Sequence, residues 1–431
     1  MGGAPGSPRL RLATLASLPP GPRPPRPGLH RAVPPRRPLR RLTLALLALV
    51  LWLPRPAAAE FSFIPLPAFD TDPNAGNTYG FLPVFLFKNE ADEVKSIVAP
   101  SVTYNSIRGI TGTFRYFAYP SALEHLDLVG SYSETIERKA DIHYRNLGLL
   151  GERFHTDVEL LYDRDATIRF FGLGPESKPE NETNMTLQTA GVYAVFGVNI
   201  SPHARLSLGE TVQKFDVLRG GVPNLPFTGD RYPDLPGVNG AFIHAQRDAL
   251  TYDDRDSDST PTRGLKASVF TEASAKLLGS DNDYVKTGAE AVYLRPYWDN
   301  RLIVVLHGLL EAVNGDSSTP FEVLPRLGGA DTLRGFSPSR FFGDARILLN
   351  IETRIRVLKL RLFGVTTEFE VAPFVDVGSV FNSLDQLLKD GVEVTPGIGF
   401  PGLAAPSVVG RIDLGVSREG PAIFVGLDYP F

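Results

Sequence analysis

Cysteine is absent from the 431-residue sequence, which excludes a disulfide framework and any thiolate-built metal centre. Apolar runs are short. The longest, "LTLALLALVLWL" at residues 42–53, holds 12 residues, whereas a membrane-crossing helix takes about 20. The first 59 residues contain ten Arg but no Lys, Asp or Glu. Long helical periods are missing after residue 59, and "NSLDQLLKDG" (382–391) is the one short helix candidate. The motifs H-E-x-x-H, G-x-S-x-G and G-x-x-x-x-G-K-[ST] are also missing, which argues against the common hydrolases and nucleotide-driven enzymes.

What is present begins with a leader. Arg36, Arg37, Arg40 and Arg41 precede the apolar run, and Ala57-x-Ala59 follows it. A basic segment, a short apolar segment and a small-residue site describe a secretory signal over residues 1–59, cut before Glu60. A short anchor or an organelle transit peptide is the other reading. Residues 1–35 are long for a signal, and Met185 is the only other methionine, so a start nearer the apolar run is expected. Without the leader, Lys+Arg falls from 44 to 34 against 48 Asp+Glu, and the formal charge moves from −4 to −14. An acidic chain speaks against nucleic acid as a partner.

The remainder alternates. In "ILLNIETRIRV", Ile347, Leu349, Ile351, Ile355 and Val357 share one face, while Asn350, Glu352, Arg354 and Arg356 share the other. "TTEFEVAPFVDVG" sets Phe369, Val371 and Val375 against Glu370, Phe374 and Asp376. "VVGRIDLGVS" sets Ile412, Leu414 and Val416 against Arg411 and Asp413. Period two is the strand signature. A soluble sandwich alternates as well, but sixteen to eighteen candidate strands, many of them 9–13 residues long, fit an outer-membrane barrel better. The expected fold is all-β: an antiparallel transmembrane β-barrel of sixteen strands over residues 77–431. Residues 60–76 would be a Pro-rich lead-in, and one long loop would fold into the lumen.

Two ends of this barrel carry expectations. In "PAIFVGLDYPF", Ile423, Val425, Leu427, Tyr429 and Phe431 fall on one face. An aromatic at the rim fits an interfacial anchor and resembles the C-terminal insertion signal of outer-membrane proteins. The first strand, taken as 78–89, contains Pro83. Proline cannot donate to a ladder, so Pro83 would leave the seam between first and last strands short of one hydrogen bond.

The loop between the strands near 301–313 and 345–357 is ~30 residues, long for a passive hairpin. It holds "DTLRGFSPSR" (331–340). An arginine folded back into the lumen needs a carboxylate, and Glu352 and Asp376 lie on the polar faces of the strands that follow. Arg334 would pin the loop, Gly335 would allow a tight turn, and Phe336 would pack beside it.

"LRGF", "RFFGDARILLNIETRIRV" and "FEVAPFVDVGSVF" resemble the outer-membrane assembly-factor superfamily that includes BamA and TamA, the bacterial surface antigen family. The similarity is clearest over residues 240–431. It implies a [VI]RG[FY]-type loop motif at Arg334, Gly335 and Phe336, with Leu333 in place of [VI]. It also implies Glu352 and Asp376 as wall partners. The implied role is assembly, insertion or translocation of outer-membrane proteins through a gated seam. Implied partners are outer-membrane lipids, client proteins or accessory lipoproteins, and the periplasmic chaperones and assembly machinery that insert the barrel itself. Members usually carry periplasmic POTRA domains, for which residues 60–76 leave no room. The alternative is a passive channel or uptake porin of the same architecture; a surface enzyme with an unrecognisable site is more remote. No catalytic, metal or cofactor residues are expected. The acidic run Asp253, Asp254, Asp256 and Asp258 lacks the Gly and Glu of a calcium loop and reads as a turn.

Overall fold

The computed structural model describes residues 60–90, 93–362, 365–389, 391–404, 408–427 and 429–431. The leader, residues 1–59, lies outside the described residues, as does the side chain of Leu427.

Among the described residues twenty-one strands follow one another. The first ten are β1 (Glu60–Asp72), β2 (Gly76–Lys88), β3 (Val94–Val98), β4 (Ser101–Asn105), β5 (Gly109–Ser121), β6 (Glu124–Ser133), β7 (Arg138–Gly148), β8 (Phe154–Phe170), β9 (Thr183–Asn199) and β10 (Ala204–Arg219). Then come β11 (Ala241–Asp253), β12 (Gly264–Ser274), β13 (Tyr284–Tyr297), β14 (Leu302–Gly315), β15 (Arg326–Leu327), β16 (Phe341–Phe342), β17 (Ala345–Leu362), β18 (Val365–Phe381), β19 (Glu393–Ala404), β20 (Val408–Ser417) and β21 (Gly420–Leu427).

Nineteen strands make one sheet, and β15 with β16 makes a separate ribbon. The large sheet is an antiparallel meander. β3 and β4 together fill one lane between β2 and β5, and β14 pairs with β17 across the long loop. β1 and β21, the two ends, lie side by side. A sheet that closes this way leaves few backbone groups unpaired, the condition for strands in lipid.

The period-two phases are those read from the sequence. Ile347, Leu349 and Ile351 are 40–43% exposed, while Asn350, Glu352 and Arg354 are at 0%. Ile412, Leu414 and Val416 are exposed, and Arg411 and Asp413 are buried. One face is therefore apolar and outward, the other polar and inward. A short helix, Leu384–Lys389, lies within the candidate segment 382–391.

Long connections gather at one end of the barrel. Segments 220–240 and 316–327 fold over that end around Phe170, Phe215, Phe321 and Phe342. The rings of Phe170 and Phe342 sit 5.4 Å apart, and those of Phe170 and Phe321 5.9 Å apart. Such aromatic burial packs an apolar cluster over this end.

Four expectations are corrected. Residues 60–76 are not a lead-in: Glu60–Asp72 is β1, paired along its whole length with β2. The large sheet holds nineteen strand segments, which with β3 and β4 sharing a lane make eighteen lanes rather than sixteen. Pro83 is not at the seam, because β1 stands between β2 and β21. It lies opposite Pro65 inside the β1–β2 ladder, so two rings without donors face one another within the wall. Finally, Tyr429 and Phe431 do not continue the outward face of β21. They leave the sheet and turn inward, where Phe431 packs beside the buried Val292, Leu294, Ile303 and Val305. Val425 stays in the strand, opposite Ile412.

Candidate functional site, a buried arginine cluster beneath the long loop

Residues 328–344 of the long loop lie against the inner face of β17 to β20. Leu327, Leu333, Phe336 and Phe341 bury themselves with Leu348 and Val380 of the wall. Phe336 meets Phe341 edge-on at 5.0 Å. This apolar contact brings Arg334 to the wall and removes water from it.

Arg334 is fully buried. Its Nε donates to Asp376 Oδ2 at 2.9 Å and its Nη2 to Asp376 Oδ1 at 2.7 Å, a bidentate pair. The backbone N–H of Arg334 donates to the same carboxylate at 3.0 Å. Nη1 donates to Glu352 Oε2 at 2.6 Å. The guanidinium carbon sits 3.4 Å from the centroid of the Phe374 ring, a stacking suited to a planar cation. The expected trio of Arg334, Glu352 and Asp376 is thus in direct contact.

Glu352 serves more arginines than the sequence suggested. Arg354 Nε donates to its Oε1 at 2.9 Å and Arg411 Nη2 to its Oε2 at 2.8 Å. Arg411 also pairs with Asp413. Three arginines therefore meet three carboxylates, and the cluster is neutral. Asn350 extends it, donating to Asp376 Oδ1 and to the Thr332 carbonyl, both at 2.7 Å. His307 bonds Asn350 Oδ1 at 2.8 Å and Glu290 at 2.9 Å. In a low-dielectric interior such a network stands or falls as a unit.

The inward-turned residues complete it. The Arg354 guanidinium lies 3.4 Å from the Tyr429 ring centroid, and the Tyr429 hydroxyl donates to Glu370 Oε2 at 2.9 Å. Phe431 stacks on His307 at 4.8 Å. Cation–π and stacking partners inside explain why these two aromatics abandon the outward face.

Clearance is set by glycine. A Cβ on Gly415 would stand 1.4 Å from the Arg334 carbonyl oxygen, and one on Gly335 would stand 2.8 Å from Thr395 Cγ2. Gly335 does sit in a tight turn, with the Phe336 N–H reaching the Leu333 carbonyl. Its φ is not positive, however, so close approach to the wall, not backbone freedom, requires glycine here.

A second buried arginine, Arg340, ends the same segment. Its Nε donates to both oxygens of Glu419 at 2.9 and 3.0 Å. Nη1 donates to Ser177 Oγ and Nη2 to the Ser177 carbonyl, each at 2.8 Å. It ties the loop to the β8–β9 connection and to the β20–β21 turn. The polar phase of Arg354, Arg411 and Asp413 was legible beforehand; Arg340 gave no signal, because its partners lie 79 and 163 positions away. The acidic turn is self-contained: Asp256 accepts from the Thr262 amide and hydroxyl, and Asp253 holds Arg255. Among the described residues no His/Asp/Glu group has metal-binding geometry.

Comparison with known proteins follows the same lines. Residues 124–400 match the Omp85 superfamily domain. No curated protein matches the sequence. Among solved structures, BamA from Haemophilus ducreyi lacking POTRA domains 1–3 aligns over 85% of this chain and 74% of its own, at 15% identity and a TM-score of 0.53. CdiB from Escherichia coli aligns over 87% and 63%, at 12% identity and a TM-score of 0.47. With the domain match spanning most of the chain, the protein belongs to the Omp85 superfamily and is an outer-membrane β-barrel of that kind.

Proposed function

We propose that the protein is a non-enzymatic assembly or translocation barrel whose seam opens between β1 and β21, with the long loop folded into the lumen and locked there by Arg334. Its partners would be outer-membrane lipids, client outer-membrane proteins or accessory lipoproteins, and the machinery that inserts it. Export by a cleaved leader belongs to the same reading.

The seam carries the proposal. β1 has 13 residues and β21 has 8, so at least five residues of β1 have no β21 partner. The chain after β21 turns inward instead of extending that ladder. An edge left open this way is a template for another strand. Each missing ladder bond forgoes roughly 0.5–1.5 kcal/mol net, which makes this the easiest junction of the barrel to part. The clamp at Arg334 keeps the remaining wall rigid while the seam moves. The aromatic cluster over the long-connection end counts against the other reading, a passive pore, since solute would meet Phe170, Phe215, Phe321 and Phe342.

Depletion followed by an outer-membrane proteome tests the role. Loss of specific membrane proteins supports assembly. An intact proteome with altered solute uptake overturns it in favour of a channel. Cysteine pairs scanned along 62–68 against 422–426 test the gate: a fully crosslinked barrel should lose activity, and unaltered activity would exclude lateral opening.

A further inference from the structure

The inner wall is polar over most of the barrel, but not beside the seam. On β1, β2, β3 and β5 the inward positions include Ile64, Leu66, Leu82, Val84, Ile97 and Phe117. They are contiguous across the strands: Leu66 faces Leu82, Ile64 faces Val84, and Ile97 faces Phe117. The outward positions of the same strands are apolar too, with Phe63 and Phe69 of β1 and Tyr79 and Phe81 of β2 exposed. A wall between lipid and water needs one apolar face; this stretch has two. Leu66 is 36% exposed on the side that lines an internal cavity of about 790 Å³. Apolar area left facing water forgoes ~25 cal/mol per Å², so the strip favours an apolar occupant.

Charge says what the rest of that occupant is. Arg115 lies two positions from Phe117 on the same inward face of β5 and lines the same cavity. Its Nη1 donates to Ser101 Oγ at 3.0 Å, and among the described residues no carboxylate pairs with it. Of the other cavity arginines, Arg145 is matched by Asp258 at 3.7 Å, Arg247 by Glu272 at 3.5 Å and Arg255 by Asp253 at 3.0 Å, while Arg205, on β10 and away from the apolar strip, shares with Arg115 the lack of a carboxylate partner among the described residues. A cation with only a hydroxyl partner, at the margin of an apolar strip, is placed for an anionic head group. The cavity extends from this strip to a largely polar and charged lining on β6 to β13, and its volume falls within the range of small-ligand sites. A peptide strand fits less well. The strip is a sheet face whose backbone groups already serve the β1–β5 ladders, so strand addition has no edge there.

We infer that this cavity binds one acyl chain of an anionic single-chain amphiphile, the chain lying on the Ile64–Leu82–Ile97 strip and the carboxylate or phosphate meeting Arg115. β1 borders the seam, so the strip lies next to a route from the bilayer. The inference is independent of the assembly role: a barrel that fails the depletion test can still bind the ligand.

The test uses the purified barrel in phosphatidylcholine nanodiscs, titrated with the fluorescent fatty acid cis-parinaric acid. Saturable binding of one molecule per barrel, above that of empty nanodiscs, is expected. Palmitate or lysophosphatidylglycerol should displace it, and the more potent of the two identifies the source as free acid or lipid. Hexadecanol should compete at least tenfold more weakly. Arg115→Gln should weaken parinarate about tenfold and erase the preference over hexadecanol. Val84→Trp, which fills the strip, should weaken acid and alcohol alike while leaving heat-modifiable gel mobility unchanged; Leu66→Gln serves if that variant fails to fold. Non-saturable uptake, equal signal from empty nanodiscs, or binding indifferent to both Arg115→Gln and the strip variant would overturn the inference.

Discussion

The two halves of the barrel interior solve one problem in opposite ways. Under β17 to β20, inward positions are filled with charge, and every carboxylate of the central trio finds an arginine. Behind β1 to β5, the same alternation turns Leu and Ile inward and leaves a cavity. The first half is closed by a loop of the chain itself. Among the described residues the second has no such filling, and it adjoins the β1–β21 junction. Alternation therefore fixes which side chains point inward, while the fill, ionic or apolar, distinguishes the two parts of the wall.

Substitutions rank this contrast. Arg334→Ala leaves buried Asp376 without a cation, while Glu352 keeps Arg354 and Arg411, and should cost about 3–5 kcal/mol, read as a lower midpoint of heat-modifiable mobility. Glu352→Gln should approach that loss, since three arginines share the carboxylate. Gly415→Ala changes no charge but drives a methyl into the Arg334 carbonyl. Overpacking of this kind costs about 1–3 kcal/mol, and the loop should become the protease-sensitive segment. Arg340→Ala should cost about 1.5–3 kcal/mol through its charge-assisted bonds, with faster exchange of amides near Glu419. Breaking the exposed Arg219–Asp230 pair, whose side chains are 72% and 58% exposed, should leave the midpoint unchanged. A barrel in which the last substitution rivals the first would erase the distinction between the buried ionic wall and an exposed ion pair.

Much of the ionic half was legible in advance. Period two placed Asn350, Glu352, Asp376, Arg411 and Asp413 on one side, and the long loop offered Arg334 in search of carboxylates. The other half was not. Prolines argue against strand, yet Pro65, Pro67 and Pro83 all sit in β1 and β2, with Pro65 directly opposite Pro83. Parity carried Tyr429 and Phe431 outward on paper. Their partners, Arg354, Glu370 and His307, are remote in sequence and draw them inward. Local alternation reports faces; it is silent on partners from the far side of a barrel.

Limited proteolysis of residues 316–344 in the parent and in Arg334→Ala, both folded in detergent, tests the clamp most directly. Slow cleavage in the parent and rapid cleavage in the variant is the predicted result. Equal rates in the two would contradict a loop held inside by that arginine.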